Sequence, residues 1–230
     1  MIFVTGDTHG RTDFTKLLLF AREHPHLTKA DYMIIAGDFG AVWSKDTLEE
    51  DLKPYSDLPF TVLFVDGNHE NFDLLNSYPV EVWNGGKVHK IKPDIIHLMR
   101  GQVYEIDGKT FFSFGGATSI DKDIRLAFGY GWWVQELPTF EDLDEGIANL
   151  KRYNNKVDYI ITHACGERAL MYPPLRTRSN RMQVFFENRL LSNFEDVVEY
   201  KHWYFGHYHM DGDLNDKMTV LYQEIRQIAE

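Results

Sequence analysis

Residues able to hold a metal ion or move a proton recur at the ends of five short apolar runs in this 230-residue chain. Ile2-Phe3-Val4-Thr5-Gly6 leads into Asp7-Thr8-His9-Gly10, and Tyr32-Met33-Ile34-Ile35-Ala36-Gly37 leads into Asp38. Thr61-Val62-Leu63-Phe64-Val65-Asp66-Gly67 leads into Asn68-His69-Glu70. Tyr159-Ile160-Ile161-Thr162 precedes His163, and His202-Trp203-Tyr204-Phe205-Gly206 precedes His207-Tyr208-His209. Asp7, His9, Asp38, Asn68, His163, His207 and His209 together form a nitrogen and oxygen donor set without a thiolate. Such a set suits divalent manganese first, with iron, zinc or cobalt as alternatives. Seven donors exceed one tetrahedral site, so two closely spaced ions are expected, with the Asp38 carboxylate able to span them. Two dications against Asp7 and Asp38 would leave a cationic pocket for phosphate oxygens. They would also lower the pKa of a bridging water, giving a metal-bound hydroxide for in-line attack at phosphorus.

The elements that must position these residues follow from hydrophobic pattern. Each run has the length and β-branched or aromatic content of a buried strand. In open α/β sheets, ligands bind beyond the carboxyl ends of strands, so five such ends would share one crevice. Asp7 and His9, like His207 and His209, are two residues apart, and extended geometry would turn each pair to one side. Between the first runs, residues 12–23 place Phe14, Leu17, Leu18 and Ala21 on one helical face. Residues 45–53 predict a short helix, and another opens near Asn71 with Leu74 and Leu75. This is a βαβ rhythm and predicts a parallel sheet.

The middle of the chain changes character. Segments near 81–83, 87–91, 95–98, 102–106 and 109–115 are short and separated by Asn84-Gly85-Gly86 and Asp107-Gly108-Lys109. Asp-Gly between apolar runs is a strong hairpin signal, so antiparallel strands are expected here. Residues 116–140 read as an irregular, Gly- and aromatic-rich stretch, and residues 172–195 as an insert; both are lid candidates. A helix near 140–154 and strands at 157–162, 201–206 and 218–224 complete an α/β return. With no repeat or linker, residues 1–230 are read as a single domain.

Composition narrows the partners. A net charge of −11 argues against a broad surface for duplex nucleic acid, but not against a small phosphorylated substrate held by metal. Cys165 is the sole cysteine, so no intramolecular disulfide can form and a reducing compartment is expected. The first strand begins at Ile2 with no leader pattern before it, and no apolar run nears the ~20 residues of a membrane span. The expectation is a cytoplasmic protein, its oligomeric state left open. Arg125 is the candidate phosphate clamp. Trp132 and Trp133 read first as lid or core packing, with base stacking by Trp132 the alternative.

Taken in order, Asp7-Thr8-His9, Gly37-Asp38, Gly67-Asn68-His69-Glu70, His163 and Gly206-His207-Tyr208-His209 resemble the five signature blocks of calcineurin-like metallophosphoesterases, and the stretch from Gly115-Gly116-Ala117 to Trp132-Trp133 resembles a bacterial and phage group within them. The resemblance implies two packed mixed β-sheets flanked by helices, an α/β/β/α sandwich. It implies that Asp7, His9, Asp38 and His209 hold one metal, and Asp38, Asn68, His163 and His207 the other. It also implies that His69 is a catalytic histidine free of metal, beside the bridging Asp38. The protein serine/threonine phosphatase branch differs: there the second block continues into Asp-Arg-Gly, whereas Asp38 is followed by Phe39-Gly40-Ala41-Val42. A small phosphomonoester or phosphodiester, with a nucleotide among the options, is therefore expected ahead of a phosphoprotein. A noncatalytic scaffold of the same fold is disfavoured by the intact donor set.

Overall fold

The computed structural model describes residues 1–178 and 183–228. Its elements run β1 (Ile2–Thr5), α1 (Thr15–Glu23), β2 (Tyr32–Ile35), α2 (Leu48–Ser56), β3 (Thr61–Phe64) and α3 (Phe72–Leu75). Then follow β4 (Val80–Trp83), β5 (Gly86–Lys92), β6 (Ile95–Leu98), β7 (Gln102–Ile106), β8 (Lys109–Phe114), α4 (Lys122–Phe128) and α5 (Phe140–Arg152). The chain continues through β9 (Tyr159–Thr162), α6 (Leu175–Arg178), α7 (Phe186–Glu195), β10 (His202–Phe205), β11 (Gly212–Asn215), β12 (Met218–Val220) and β13 (Ile225–Gln227).

These strands form a seven-stranded sheet, β13-β1-β2-β3-β6-β5-β4, and a six-stranded sheet, β11-β12-β10-β9-β8-β7. The first pairs β1, β2, β3 and β6 in parallel. The second does the same with β8, β9, β10 and β12. The β7–β8 hairpin closes through Asp107 and Gly108, both at positive φ, and pairs Ile106 with Lys109. That is the primed turn whose twist matches the strands. Where two sheets pack, both faces of each strand are buried, so the runs read as continuously apolar rather than alternating.

Three apolar layers fix the order helix, sheet, sheet, helix. Val4, Ile34, Leu63 and Ile96 of the first sheet meet Phe111, Ile161 and Tyr204 of the second. On the outer face of the first sheet, Phe3, Met33 and Val62 pack against Leu17, Leu52, Tyr55 and Leu75 of α1 to α3. On the outer face of the second, Phe112, Ile160 and Trp203 pack against Leu143, Leu150, Leu190 and Phe194 of α5 and α7. Helix α5 starts where Thr139 and Asp142 cap each other's backbone N–H groups, and it buries Leu143, Gly146 and Leu150 along one face.

The α/β sandwich expected from the motifs is therefore the observed fold, with three local corrections. The 116–140 stretch is not irregular: it holds α4 and a short 3-10 turn at Val134–Glu136. The 172–195 stretch is only partly an insert, because α7 buries Leu190, Leu191 and Phe194 in the core; residues 179–182 lie outside the described residues. The strand expected at 218–224 ends at Val220 as β12, and β13 (Ile225–Gln227) follows it in the other sheet. Asp211 causes the break by accepting the N–H groups of Tyr222, Gln223 and Glu224 between them. Among the described residues, no helix is long and apolar enough to cross a membrane.

Candidate metal centre

The carboxyl ends of β1, β2, β3, β9 and β10 meet at one edge of the sandwich, and hydrogen bonds between their turns lock them there. Thr8 and His9 donate their backbone N–H groups to Asp38 O at 3.1 and 2.8 Å. The His69 N–H reaches Asp38 Oδ1 at 2.7 Å, and the His207 N–H reaches Asp7 Oδ1 at 3.0 Å. His163 Nδ1 contacts Ala36 O at 2.9 Å, a bond that directs Nε2 into the site. Gly206 permits this convergence, since a Cβ there would fall 2.2 Å from Asp7 Oδ1 and 2.6 Å from Ala36 O.

The side chains converge by a different route from the one their two-residue spacing predicts. His9, Asp38, His207 and His209 all have positive φ, at 43°, 48°, 67° and 47°. The runs ending at Asp7, Asp38 and His207 thus leave their strands through left-handed turns instead of continuing extended. Non-glycine residues adopt this region at a cost, and such positions cluster at functional sites.

Two groupings result. Ligand atoms of Asp7, His9, Asp38 and His209 all lie within 4.8 Å of one another. His163 Nε2 lies 3.1 Å from Asn68 Oδ1 and 3.3 Å from Asp38 Oδ1, and its ring sits edge-on to His207 with centroids 4.9 Å apart. Asp38 belongs to both groupings, because its other oxygen, Oδ2, lies 3.3 Å from His9 Nε2. All seven candidate ligands named from the sequence come together.

Asp7 and Asp38 are almost fully buried, which costs heavily for a carboxylate without compensating charge. Burial alone would raise the pKa of Asp38, but His163, His9 and His69 more than reverse this and hold it well below its usual range. Burial likewise opposes the opposite change in the imidazoles. The facing carboxylates nonetheless lift His9 to about 9 and His163 to about 10. Burial, reinforced by His163, pushes His207 down to about 3, leaving a neutral imidazole with a lone pair to give. Asp7 Oδ2 is buried with no hydrogen bond to complete it, although His209 Nε2 lies 3.2 Å away. An incompletely satisfied carboxylate oxygen, amid nitrogen and oxygen donors that need cations, fits a divalent-metal centre.

A layer of supporting residues orients these donors; sequence reasoning marks Glu70 among them as a turn residue, but not Asp13, Lys16 or Tyr222. Asp13 Oδ2 holds His9 Nδ1 at 2.7 Å, while Asp13 Oδ1 accepts the Tyr222 hydroxyl at 2.9 Å. The Tyr222 ring stacks on His209, with centroids 4.7 Å apart and planes 8° from parallel. Lys16 Nζ donates to the carbonyl oxygens of Gly6, Asp7 and Tyr222. Glu70 accepts the N–H groups of Phe39 and Gly40, fixing the turn that carries Asp38.

His69 is half-buried and lines a cavity of about 650 Å³ together with Asp38, Asn68, His207 and His209. Burial lowers its pKa; Asp38 opposes that shift and Arg125 adds to it. Arg125 and Trp132 are not in this lining. The Arg125 guanidinium is buried, ion-paired with Glu136 at 2.9 Å and hydrogen-bonded to Asn68 O, Ser119 Oγ and Gly131 O. The bidentate fork expected for phosphate is thus turned inward, and its contacts brace the Asn68–His69 segment. Trp132 lies beneath Lys122 Nζ, 3.6 Å from the ring centroid, and Trp133 packs edge-on against Trp43. Cys165 is buried and donates to the Tyr208 hydroxyl, away from the donor groups.

Among solved structures, the chain is similar to a phosphopantetheinyl hydrolase from Mycobacterium tuberculosis, at 15% identity and TM-score 0.41, over 96% of this chain and 87% of that one. It is similar to a protein of unknown function from Aquifex aeolicus, at 14% identity and TM-score 0.39, over 87% of each chain. It is also similar to a candidate 5'-nucleotidase from Staphylococcus aureus, at 15% identity and TM-score 0.49, over 96% of this chain and 48% of that one. No curated protein matches in sequence. The calcineurin-like phosphoesterase family matches residues 1–211, which hold all seven candidate ligands. The chain belongs to that family of metal-dependent phosphoric ester hydrolases.

Proposed function

We propose that the protein is a dinuclear phosphoesterase acting on a small phosphomonoester or phosphodiester. In this reading Asp7, His9, Asp38 and His209 hold one divalent ion, and Asp38, Asn68, His163 and His207 hold the second, with manganese the first expectation. One observation carries it: the two Asp38 oxygens face different donor groups, Oδ2 toward His9 and Oδ1 toward His163, at 3.3 Å each. When bound, the ions supply Lewis acidity toward phosphoryl oxygens and an acidified water. Residues 1–230 act as one domain, since the apolar layer between the sheets is built from both.

The chain's own residues supply positioning and proton handling. Asp38 fixes the His69 backbone through Oδ1, and Arg125 holds the preceding carbonyl of Asn68. The His69 imidazole is thereby kept at the cavity wall, where it can hydrogen-bond a phosphoryl oxygen or give a proton to the leaving oxygen. Of the signals for a nucleotide or phosphodiester, the aromatic loop with Arg125 and Trp132 does not reach the cavity lining, while the doubled histidine of Gly206-His207-Tyr208-His209 and the missing Asp-Arg-Gly stretch still favour a small phosphoester.

Metal content and turnover of 4-nitrophenyl phosphate and bis(4-nitrophenyl) phosphate test the proposal. Two ions per chain are expected at saturation, with His69→Ala losing roughly 10²–10⁴-fold in kcat while retaining both. One ion per chain, or near-normal turnover in His69→Ala, would overturn it.

A further inference from the structure

The cavity beside the donor groups has two unlike sides. Asp38, Asn68, His207 and His209 form one; Ile120, Leu175, Phe185, Tyr208 and Met210 contribute the hydrocarbon of the other. Ile120 is an isoleucine with 88% of its surface exposed, standing at a cavity wall and outside the packed core. With Phe185 and Met210 it gives the cavity a largely apolar wall, the usual lining of a small-molecule site.

Of the polar groups interleaved in this wall, Thr118, Asn188 and Tyr208 already have partners, and Asp121 and Gln183 also line the cavity. The Tyr208 hydroxyl lies between Cys165 Sγ and Asn188 Nδ2, each at 3.2 Å. Asn188 Nδ2 also donates to Cys165 O, and its Oδ1 accepts the Phe185 N–H. Thr118 gives both its backbone N–H and its hydroxyl to Glu187. What these residues present to a bound molecule is therefore carbon: the Tyr208 ring face and the side chains of Ile120, Leu175, Phe185 and Met210. A sugar or polyol resting on those carbons would surrender hydrogen bonds to water and find only Asp121 and Gln183 beside them to replace the loss.

We infer that the alcohol portion of the substrate is apolar, an aryl or alkyl group resting on Ile120, Phe185 and Met210, and that sugar and polyol phosphates are disfavoured. This rests on the phosphoesterase reading above and specifies the group that reading leaves open.

Phosphonates, which carry no scissile ester, test the inference without the confounding effect of leaving-group acidity. Competitive inhibition of 4-nitrophenyl phosphate hydrolysis would be measured with methyl-, cyclohexylmethyl- and 2,3-dihydroxypropylphosphonate, using one metal-loaded preparation. The cyclohexylmethyl compound should bind about tenfold more tightly than the dihydroxypropyl one. That factor corresponds to about 55 Å² of hydrocarbon at about 25 cal/mol per Å². Ile120→Asn and Phe185→Ser should each erase several-fold of that preference while changing the methylphosphonate constant by less than about twofold.

Equal or tighter binding of the dihydroxypropyl compound would overturn the inference, as would no inhibition by any of the three or a preference unchanged in both variants. Failure of the dinuclear reading would show separately, in the metal content of the same preparation. Circular dichroism of each variant confirms that a lost preference is not lost fold.

Discussion

Replacing Asp13 with Asn should loosen one metal ion and leave the other in place. The Asp13 carboxylate reaches His9 Nδ1 at 2.7 Å and takes the Tyr222 hydroxyl at 2.9 Å on its second oxygen. Tyr222 in turn stacks on His209, so one carboxylate governs the orientation of two imidazoles from the same donor group. Asn keeps the shape and one acceptor but removes the charge that makes His9 a stronger donor to metal. A charge-assisted hydrogen bond contributes about 1.5–3 kcal/mol, which corresponds to about 10–100-fold in affinity. That range agrees with the usual cost of losing a carboxylate behind a metal-bound histidine. Tyr222→Phe keeps the stacked ring and the Asp13–His9 contact and loses only the hydroxyl's bond to the carboxylate, so a smaller decrease than in Asp13→Asn is expected. Calorimetric titration of metal into the stripped variants would read both effects, with thermal unfolding as a check on fold. Wild-type affinity in Asp13→Asn, within about twofold, would refute the argument. Equal weakening of both ions would refute its assignment to a single site.

Two further outcomes follow from groups behind the site. Arg125→Met leaves Glu136 buried without its ion pair at 2.9 Å, and should cost about 3–5 kcal/mol in chemical denaturation. Arg125→Met combined with Glu136→Leu should recover most of that loss, whereas a phosphate clamp would lose substrate affinity with stability intact. Burial, aided by neighbouring His97 and opposed by Asp66, pushes His89 down from 6.5 to about 4. The unfolded imidazole therefore takes up its proton first, and stability declines as pH falls from about 6.5 toward 4. His89→Gln should flatten the dependence of Tm on pH across that window; an unchanged slope would assign the decline to carboxylates elsewhere.

The strands that carry the donors were legible because burial between two sheets demands short, continuous apolar runs, and Ile2–Thr5, Tyr32–Ile35 and Thr61–Phe64 are of that kind. The Asp107-Gly108 turn was legible because two successive residues at positive φ select those residue types. The donor geometry was not legible from alternation. His9, Asp38, His207 and His209 occupy left-handed turns, and a strand's two-residue period does not describe them. Nor was the Asp13–Tyr222 contact, which joins residues 209 positions apart and depends on how β13 returns to the edge of the first sheet. The one local signal was an Asp four residues after His9, a spacing found in many polar turns. Arg125 looked available because its neighbours are aromatic loop residues; Glu136, the buried acid that claims it, lies in a stretch whose helices give no strong sequence pattern.

The supporting layer also explains why strained turns and buried carboxylates persist in one place. Each carboxylate gives one oxygen to a peptide N–H from a neighbouring donor's turn: Asp7 Oδ1 to His207, and Asp38 Oδ1 to His69. The first of these bonds crosses from one sheet to the other, as does the contact of His163 with Ala36 O. The centre therefore ties together the sheets that position it, and the sheets cannot separate at this edge without exposing it. A cation bound among these donors would stabilise the folded sandwich because the unfolded chain cannot assemble the same set. Positive backbone angles that would be liabilities in an isolated loop are held at His9 and His207 by bonds to Asp38 O and Asp7 Oδ1, which gives the donor atoms fixed places before any ligand arrives.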